Sequence, residues 1–155
     1  MPLQLKQTVE ETHRLESYPK FAEEAMRKAA NAFIDGILPK HFTQAGADEY
    51  HYEERSPAYN ASKLRRFGHQ IPFVKTGGSE RQSRSSTVRV LGQGHRGRST
   101  ASAVVRIPVS AANFSRERRR EIKATSKRDG AILAVEITNV LTARLNETEA
   151  PREIR

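Results

Sequence analysis

The side chains of this protein that could do chemistry lack the spacing that a reaction would require. The histidines stand at His13, His41, His51, His69 and His95, so no two of them lie three to five residues apart as ligands on one helix would. The chain has no cysteine, which removes thiolate metal ligands, disulfides and a cysteine nucleophile together. We therefore expect no metal site, no cofactor and no enzymatic activity.

One glycine-rich stretch has the sequence of a nucleotide-binding motif. Gly92-x-Gly94-x-x-Gly97 matches the dinucleotide fingerprint, which holds phosphates only where a strand precedes it and a helix follows it. A second strand is predicted to follow here, so we interpret the string as the flexible tip of a hairpin. The tip is cationic, and we expect it to reach a neighbouring subunit or a channel. Its residues are Gly92, Gly94, His95, Arg96, Gly97 and Arg98.

Residues 50–77 combine aromatic and cationic side chains with prolines and glycines and show no regular apolar period. A segment of this composition is typical of an interaction surface. Its order of residues also resembles the signature of the tail-completion and virion-morphogenesis proteins of tailed bacteriophages. The matching positions are Tyr50-x-Tyr52, Arg55-Ser56, Tyr59, Lys63, Gly68, Pro72-Phe73-Val74 and Thr76-Gly77. The family usually continues with a basic residue and a leucine, whereas Gly78-Ser79-Glu80 follows here.

The resemblance implies a structural neck protein of the phage head-to-tail junction. Such a protein would form a homo-oligomeric ring of six or twelve copies between portal or connector proteins and tail-tube proteins. It would be assembled in the host cytoplasm and located in the virion. On this hypothesis the residues that contact another subunit are Tyr50, Tyr52, Arg55, Tyr59, Lys63 and Phe73.

The charge of the chain is unevenly distributed. The net charge is +9, with 18 Lys/Arg against 3 Asp/Glu in residues 55–128 and an acidic excess on either side. This asymmetry favours either a polyanion partner or head-to-tail contacts between copies. The alternative function is therefore a small basic protein that binds nucleic acid without sequence specificity. Its phosphate contacts would come from Arg65, Arg66, Arg96, Arg98, Arg116, Arg118, Arg119 and Arg120. In the ring, DNA in the channel would be touched only through its backbone.

The N-terminal half of the chain predicts one long helix. Apolar residues recur at three and four positions from Tyr18 to Ile37, with Ser17 as N-cap and with Gly36 and Pro39 at the end. A loop is expected over residues 41–48. A short helical turn is expected over residues 63–67 and ends at Gly68.

The C-terminal half predicts three strands and a helix. Alternating residues indicate strands at 84–91 and 101–107, and a third, heavily basic strand is expected at 118–125. Ser126 and Asp129 resemble a capping box that opens a helix over residues 127–146.

The expected fold is α+β. A small antiparallel sheet of three or more strands carries an N-terminal and a C-terminal helix packed on it. Residues 1–155 form a single domain, with 1–16 as a flexible or docking arm and 147–155 as a flexible tail. No apolar run approaches the roughly 18 residues that would span a bilayer, so we expect no membrane partner.

Overall fold

The computed structural model describes residues 2–10, 18–74, 76–95, 98–108 and 116–149. Within these ranges helices and an antiparallel sheet share one core, so the α+β class is confirmed. The strands are β1 (Pro2–Glu10), β2 (Thr87–His95) and β3 (Arg98–Arg106). The α-helices are α1 (Tyr18–Ala32), α2 (Gln44–Glu49), α3 (Pro57–Phe67), α4 (Gly78–Ser83), α5 (Arg116–Glu121) and α6 (Lys127–Glu149).

Helix α1 lies in the middle of the structure, where it contacts the sheet and α6. Its buried residues Ala22, Ala25, Met26 and Ala29 follow the predicted spacing of three and four, and each is at most 3% exposed. The alanines let the backbones of neighbouring elements approach closely, which explains how α1 can pack against both the sheet and α6. Ser17, the predicted N-cap, lies outside the described residues.

The helical path continues beyond the predicted end of α1. The backbone widens into a π turn (Phe33–Ile37) and then tightens into a 3-10 turn (Leu38–Phe42). The two turns change the phase of the helix, so that the adjacent residues Ile37 and Leu38 are both 1% exposed. Gly36 and Pro39 therefore lie within this path and do not end it.

The loop predicted for residues 41–48 is wrong, because α2 occupies most of it. Thr43 caps the helix: its hydroxyl accepts from the Gly46 amide at 3.0 Å and donates to the Lys40 carbonyl at 2.7 Å. Position 46 requires glycine because the Lys40 backbone approaches it closely. A Cβ at this position would lie 1.9 Å from the Lys40 carbonyl oxygen.

The sheet has β3 at its centre. Strand β2 pairs with one side of β3 and β1 with the other, both antiparallel, so that Val90 and Leu5 lie opposite Ala103. The predicted alternation in β3 is confirmed, because its inward residues are at most 2% exposed. They are Ala101, Ala103 and Val105, followed by Ile107 just after the strand. Residues 2–10, which the sequence left as an arm, form β1 within their own chain; residues 11–16 lie outside the described ones.

The hairpin tip is shorter than the predicted loop from Gly92 to Arg98. The ladder between β2 and β3 continues to the pair His95 and Arg98. Cross-strand hydrogen bonds can thus hold the glycines of this stretch in extended backbone. Arg96 and Gly97 lie outside the described residues.

The strand predicted at residues 118–125 is wrong. Residues 116–121 form α5, and a turn follows in which only Ile122 is fully buried. Arginine and glutamate are good helix formers, and the run lacks the alternation that a strand with one buried face requires.

Helix α6 begins with the predicted capping box. The Ser126 hydroxyl accepts from the Asp129 amide at 3.1 Å, and the Asp129 carboxylate accepts from the Ser126 amide at 3.0 Å. The helix packs on α1 and on the π turn, which corrects the prediction that it packs on the sheet. Among the described residues, no helix is apolar enough over a sufficient length to cross a membrane.

Candidate partner-binding site

Helix α3 positions the centre of the 50–77 segment, where only a short turn was predicted. Ser56 caps its first turn by accepting from the Tyr59 amide at 3.3 Å, and Pro57 occupies a position that loses no hydrogen bond. Gly68 ends the helix with a φ of 73° and donates to the Leu64 carbonyl at 2.9 Å. Tyr59 and Lys63 are four residues apart and therefore share one face of the helix.

This face of α3 borders a surface cavity of about 240 Å³. Four of the six predicted contact residues line it: Arg55, Tyr59, Lys63 and Phe73. Arg118 reaches it from α5, and Gln70, Thr76, Ser79 and Gln82 complete the polar part of the wall. We call this the cationic cavity. The sequence had assigned Arg118 to nucleic-acid contacts and a strand, and the fold brings it beside α3.

Arg55 joins the 50–77 segment to α5. Its guanidinium donates to both carboxylate oxygens of Glu121, at 3.1 and 2.5 Å, and lies 5.8 Å from the centroid of the Phe73 ring. The side chains of the ion pair are 14% and 13% exposed, and the hydrogen bonds with Glu121 raise the pKa of Arg55. The positive charge of Arg55 is therefore largely neutralised by the Glu121 carboxylate.

Lys63 and Arg118 approach the Tyr59 ring. The Lys63 ammonium is 5.9 Å and the Arg118 guanidinium 5.4 Å from the ring centroid, distances at which the ring attracts cations. Lys63 is only 4% exposed, and its ammonium donates to the Ile71 carbonyl. Within the described ranges, no aspartate or glutamate lines the cavity.

Phe73 is held in an uncommon backbone conformation. Its φ is +57°, a region that side chains other than glycine rarely adopt, and the strain costs of order 1 kcal/mol or more. The ring meets Tyr52 edge-on with centroids 5.2 Å apart, while Arg55 lies over it. Packing on two sides thus fixes the aromatic wall of the cationic cavity.

The other two predicted contact residues, Tyr50 and Tyr52, belong to a different cluster. Tyr50 stacks on His41 with ring centroids 4.0 Å apart, and the Tyr52 hydroxyl is hydrogen bonded to Nδ1 of His41. Tyr50 is only 9% exposed, which corrects its prediction as a surface contact residue. Tyr52 is half-buried and lines a second depression of about 470 Å³ with Asp48, Glu53 and Glu54.

Asp129 anchors this cluster at the start of α6. Its carboxylate is fully buried and accepts from the Lys40 ammonium at 3.0 Å and from the Ser126 hydroxyl at 2.9 Å. The Ser126 hydroxyl also lies 2.9 Å from a Glu49 carboxylate oxygen, which ties α2 to α6. We call Lys40, His41, Tyr50, Tyr52 and Asp129 the buried aromatic cluster.

The ionisation of the buried aromatic cluster follows from its burial. Burial lowers the pKa of His41 to about 4, against the opposing effect of Asp129, so the imidazole is neutral at pH 7. Burial also raises the pKa values of Tyr50 and Tyr52. Burial acts to raise the pKa of Asp129 as well, but hydrogen bonds from Ser126 and Lys40 outweigh it and lower the value to about 2.

None of the described residues of the hairpin lines the cationic cavity. Gly92 approaches α1, since a Cβ there would lie 2.1 Å from a carboxylate oxygen of Glu23. Gly94, His95 and Arg98 have strand backbone, and β3 follows the glycine string where a nucleotide site would require a helix. The predicted contacts of this tip to a neighbour or channel stay a prediction.

Metal chemistry has no geometric support in the part of the chain that the structure describes. There, no group of three or more His, Cys, Asp or Glu side chains is placed to hold a metal ion. Comparison with known proteins adds no assignment: no family model, no curated protein and no solved structure matches this chain.

Proposed function

We propose that this protein is a structural component of a phage head-to-tail junction. It acts as a homo-oligomeric ring between the portal or connector and the tail, in the manner of tail-completion or tail-terminator proteins. Its work is mechanical and steric and requires no catalysis. The proposal rests on the resemblance of residues 50–77 and on the way the fold arranges them.

The observation that carries the proposal is the cationic cavity. Arg55, Tyr59, Lys63 and Phe73 come from α3 and its two flanking loops, and they border one surface cavity. Aromatic and arginine side chains are enriched in the cores of protein interfaces. Phe73 is held with a positive φ, which adds a backbone cost that a purely structural loop has little reason to bear. This combination supports a site that receives another protein.

A ring places different patches of one subunit against each other. In such a heterologous contact the basic middle of one chain can meet the acidic part of the next. Strands β1 and β2 form the two edges of the sheet, and an edge can accept a further strand. A sheet of more than three strands, continued from one copy to the next, is the finer form of this proposal. Six or twelve copies would close the ring.

The ring is tested by light scattering after size exclusion, at low and high salt, followed by electron microscopy of the purified assembly. The expected result is a closed ring of six or twelve copies that persists at micromolar concentration. A strict monomer at high protein concentration, in both salts and in the presence of portal and tail-tube proteins, would contradict the proposal.

Non-specific nucleic-acid binding is the second candidate. Arg65 and Arg66 in the last turn of α3 and Arg120 in α5 are all exposed, as phosphate contacts would need to be. This function predicts that a monomer or dimer shifts duplex DNA or RNA at moderate salt, with affinity that falls steeply as salt rises. Replacing Arg65 and Arg66 with alanine together would weaken that binding for every sequence to the same degree.

A further inference from the structure

Helix α6 carries apolar side chains on its outer side as well as on the side that packs on α1. Leu133 belongs to the core, and Ile137 packs against that core. On the outer side, Ile132 and Val135 are 39% and 55% exposed. A helix that is apolar all round is normally buried all round, because the burial of aliphatic side chains is favourable. The outer side of α6 is therefore suited to a cover of its own.

The outer side of α6 is also poor in charge. Between Asp129 and Arg144 the sequence contains one charged residue, Glu136, although 29% of the chain is charged. A surface of this kind lacks the cations that bind phosphates, so it favours a protein partner over nucleic acid. We call six exposed residues of this stretch the outer stripe. They are Ile132, Val135, Thr138, Asn139, Thr142 and Ala143.

The polar groups of the outer stripe can be buried against a second copy of the same stripe. The Thr138 hydroxyl donates to the Ala134 carbonyl at 2.9 Å, so its hydrogen is satisfied within the helix. The Asn139 side chain has both donors and an acceptor, and two copies of it on a two-fold axis can therefore bond to each other. The small side chains of Thr142 and Ala143 allow two helices to approach closely.

The two ends of α6 determine the direction in which two stripes would pair. Lys127 and Arg128 are exposed at the start of the helix. Glu147 lies near its end, where it contacts Arg144 and its side chain is 62% exposed. In an antiparallel pair the cations of one copy approach the glutamate of the other, and the two helix dipoles run in opposite directions. In a parallel pair, like charges would meet at both ends.

We propose that the outer stripe binds the outer stripe of a second copy of this chain, with the two helices antiparallel and the two-fold axis at Asn139. In this register, Val135 of one copy packs on Ala143 of the other. The contact is isologous and goes beyond the proposed ring, whose contacts are heterologous. In a ring of six it would join two rings into twelve copies. One helix face is smaller than the ~800 Å² per partner of a standard interface, so we expect a dissociation constant on the order of micromolar.

Val135→Asp tests the outer stripe, because it places a carboxylate among apolar contacts. The matched control is Leu64→Asp in α3, since Leu64 is 49% exposed and lies outside the stripe. In sedimentation equilibrium, V135D should raise the dissociation constant of the two-fold contact at least tenfold, and L64D should change it less than threefold. Circular dichroism and thermal unfolding verify that both variants are folded. Equal dissociation constants for V135D and wild type would overturn the proposal.

Disulfide crosslinking tests the direction of pairing, because the chain has no cysteine of its own. Asn139→Cys should form a disulfide between two copies under mild oxidation, since the two-fold axis brings this position together with itself. Arg128 stands 11 residues before Asn139, so two copies of it would lie ~33 Å apart and Arg128→Cys should not crosslink. A disulfide in R128C and none in N139C would overturn the antiparallel pair.

The same experiments separate the outer stripe from the ring. Wild-type dimers with no larger assembly, together with crosslinking of N139C, would contradict the ring and support the stripe. A closed ring in which N139C does not crosslink would overturn the stripe contact and leave the ring standing. If V135D kept its self-association and lost binding to portal or tail-tube proteins, the stripe would belong to that partner and the pairing of two copies would be wrong.

Discussion

The buried aromatic cluster and the cationic cavity both combine aromatic rings with cationic side chains, but the cluster lies in the core and the cavity opens to the surface. In the cluster, Asp129 accepts from Lys40 and Ser126, and His41 is neutral at pH 7. In the cavity, Lys63 and Arg118 lie 5.9 and 5.4 Å from the centroid of the Tyr59 ring. We infer a division of roles in which the cluster stabilises the fold and the cavity receives a partner.

Asp129→Ala should have the largest effect. It removes a fully buried carboxylate that both pairs with Lys40 and caps α6. We expect the free energy of unfolding to fall by about 3 to 4 kcal/mol in urea titrations, because a buried partner and a cap are lost together. Asp129→Asn keeps an acceptor for Ser126 and should lose less. The control is Glu147→Ala, which breaks an exposed pair with Arg144 and should cost under ~1 kcal/mol. If D129A and E147A lost equal free energies of unfolding, Asp129 would have no special structural role.

Gly46→Ala should lower the free energy of unfolding by about 2 to 3 kcal/mol. The new Cβ would meet the Lys40 carbonyl oxygen at 1.9 Å, so the backbone that holds Lys40 and His41 in the cluster must move. Gly130→Ala is the matched control within α6. It has no neighbour within 4 Å and should stabilise the protein by up to ~1 kcal/mol, because alanine favours helix. The prediction fails if both substitutions shift thermal unfolding in the same direction.

Acid should weaken the buried aromatic cluster through His41. The pKa of this imidazole is about 4 in the folded protein and near 6.5 in the unfolded chain, so the unfolded state takes up the proton first. Stability is therefore complete above pH 6.5 and declines as pH falls to 4, by about 2 kcal/mol between pH 7 and pH 5. Asp129, with a folded pKa of about 2 and an ordinary value of 3.8, contributes stability above pH 4 that is lost as pH falls from there to 2.

His41→Phe separates these contributions, because it removes the titrating group and keeps a ring to stack on Tyr50. Its stability should change less than that of the wild type between pH 7 and pH 5, measured by urea unfolding at each pH. His51→Asn is the control at an exposed histidine whose φ is +50°, a conformation that asparagine tolerates. If H41F loses as much stability as the wild type between pH 7 and pH 5, groups other than His41 cause the pH dependence.

Substitutions in the cationic cavity should have the smallest effects on stability. Arg55→Ala should cost about 1 to 2 kcal/mol, since it breaks a half-buried bidentate pair with Glu121. Arg118→Ala removes a cation that lies 5.4 Å from the Tyr59 ring centroid and should cost about 1 kcal/mol. Arg84→Ala, which breaks an exposed pair with Glu80, is the control and should be within ~0.5 kcal/mol of wild type. If R118A destabilised the fold as much as D129A, the cavity cations would be structural and the division would be lost.

Features that depend on near neighbours along the chain can be predicted from the residue pattern alone. The apolar stripe of α1, the alternation of β3 and the capping box of Ser126 and Asp129 each have a short period or a fixed local spacing, and each is present in the structure. Tyr59 and Lys63 also came together, because they lie four residues apart on one face of α3. Local hydrogen bonds and side-chain periodicity are sufficient to specify such features.

Other features arise only when distant parts of the chain pack together. Residues 2–10 became β1 beside β3, and α6 packed on α1 in preference to the sheet. Tyr50 was drawn into a stack with His41, while Arg118 was brought to the Tyr59 ring 59 positions earlier in the chain. These outcomes depend on contacts between residues far apart in sequence, whose free energy appears only when the elements pack together. No local pattern of residues encodes them.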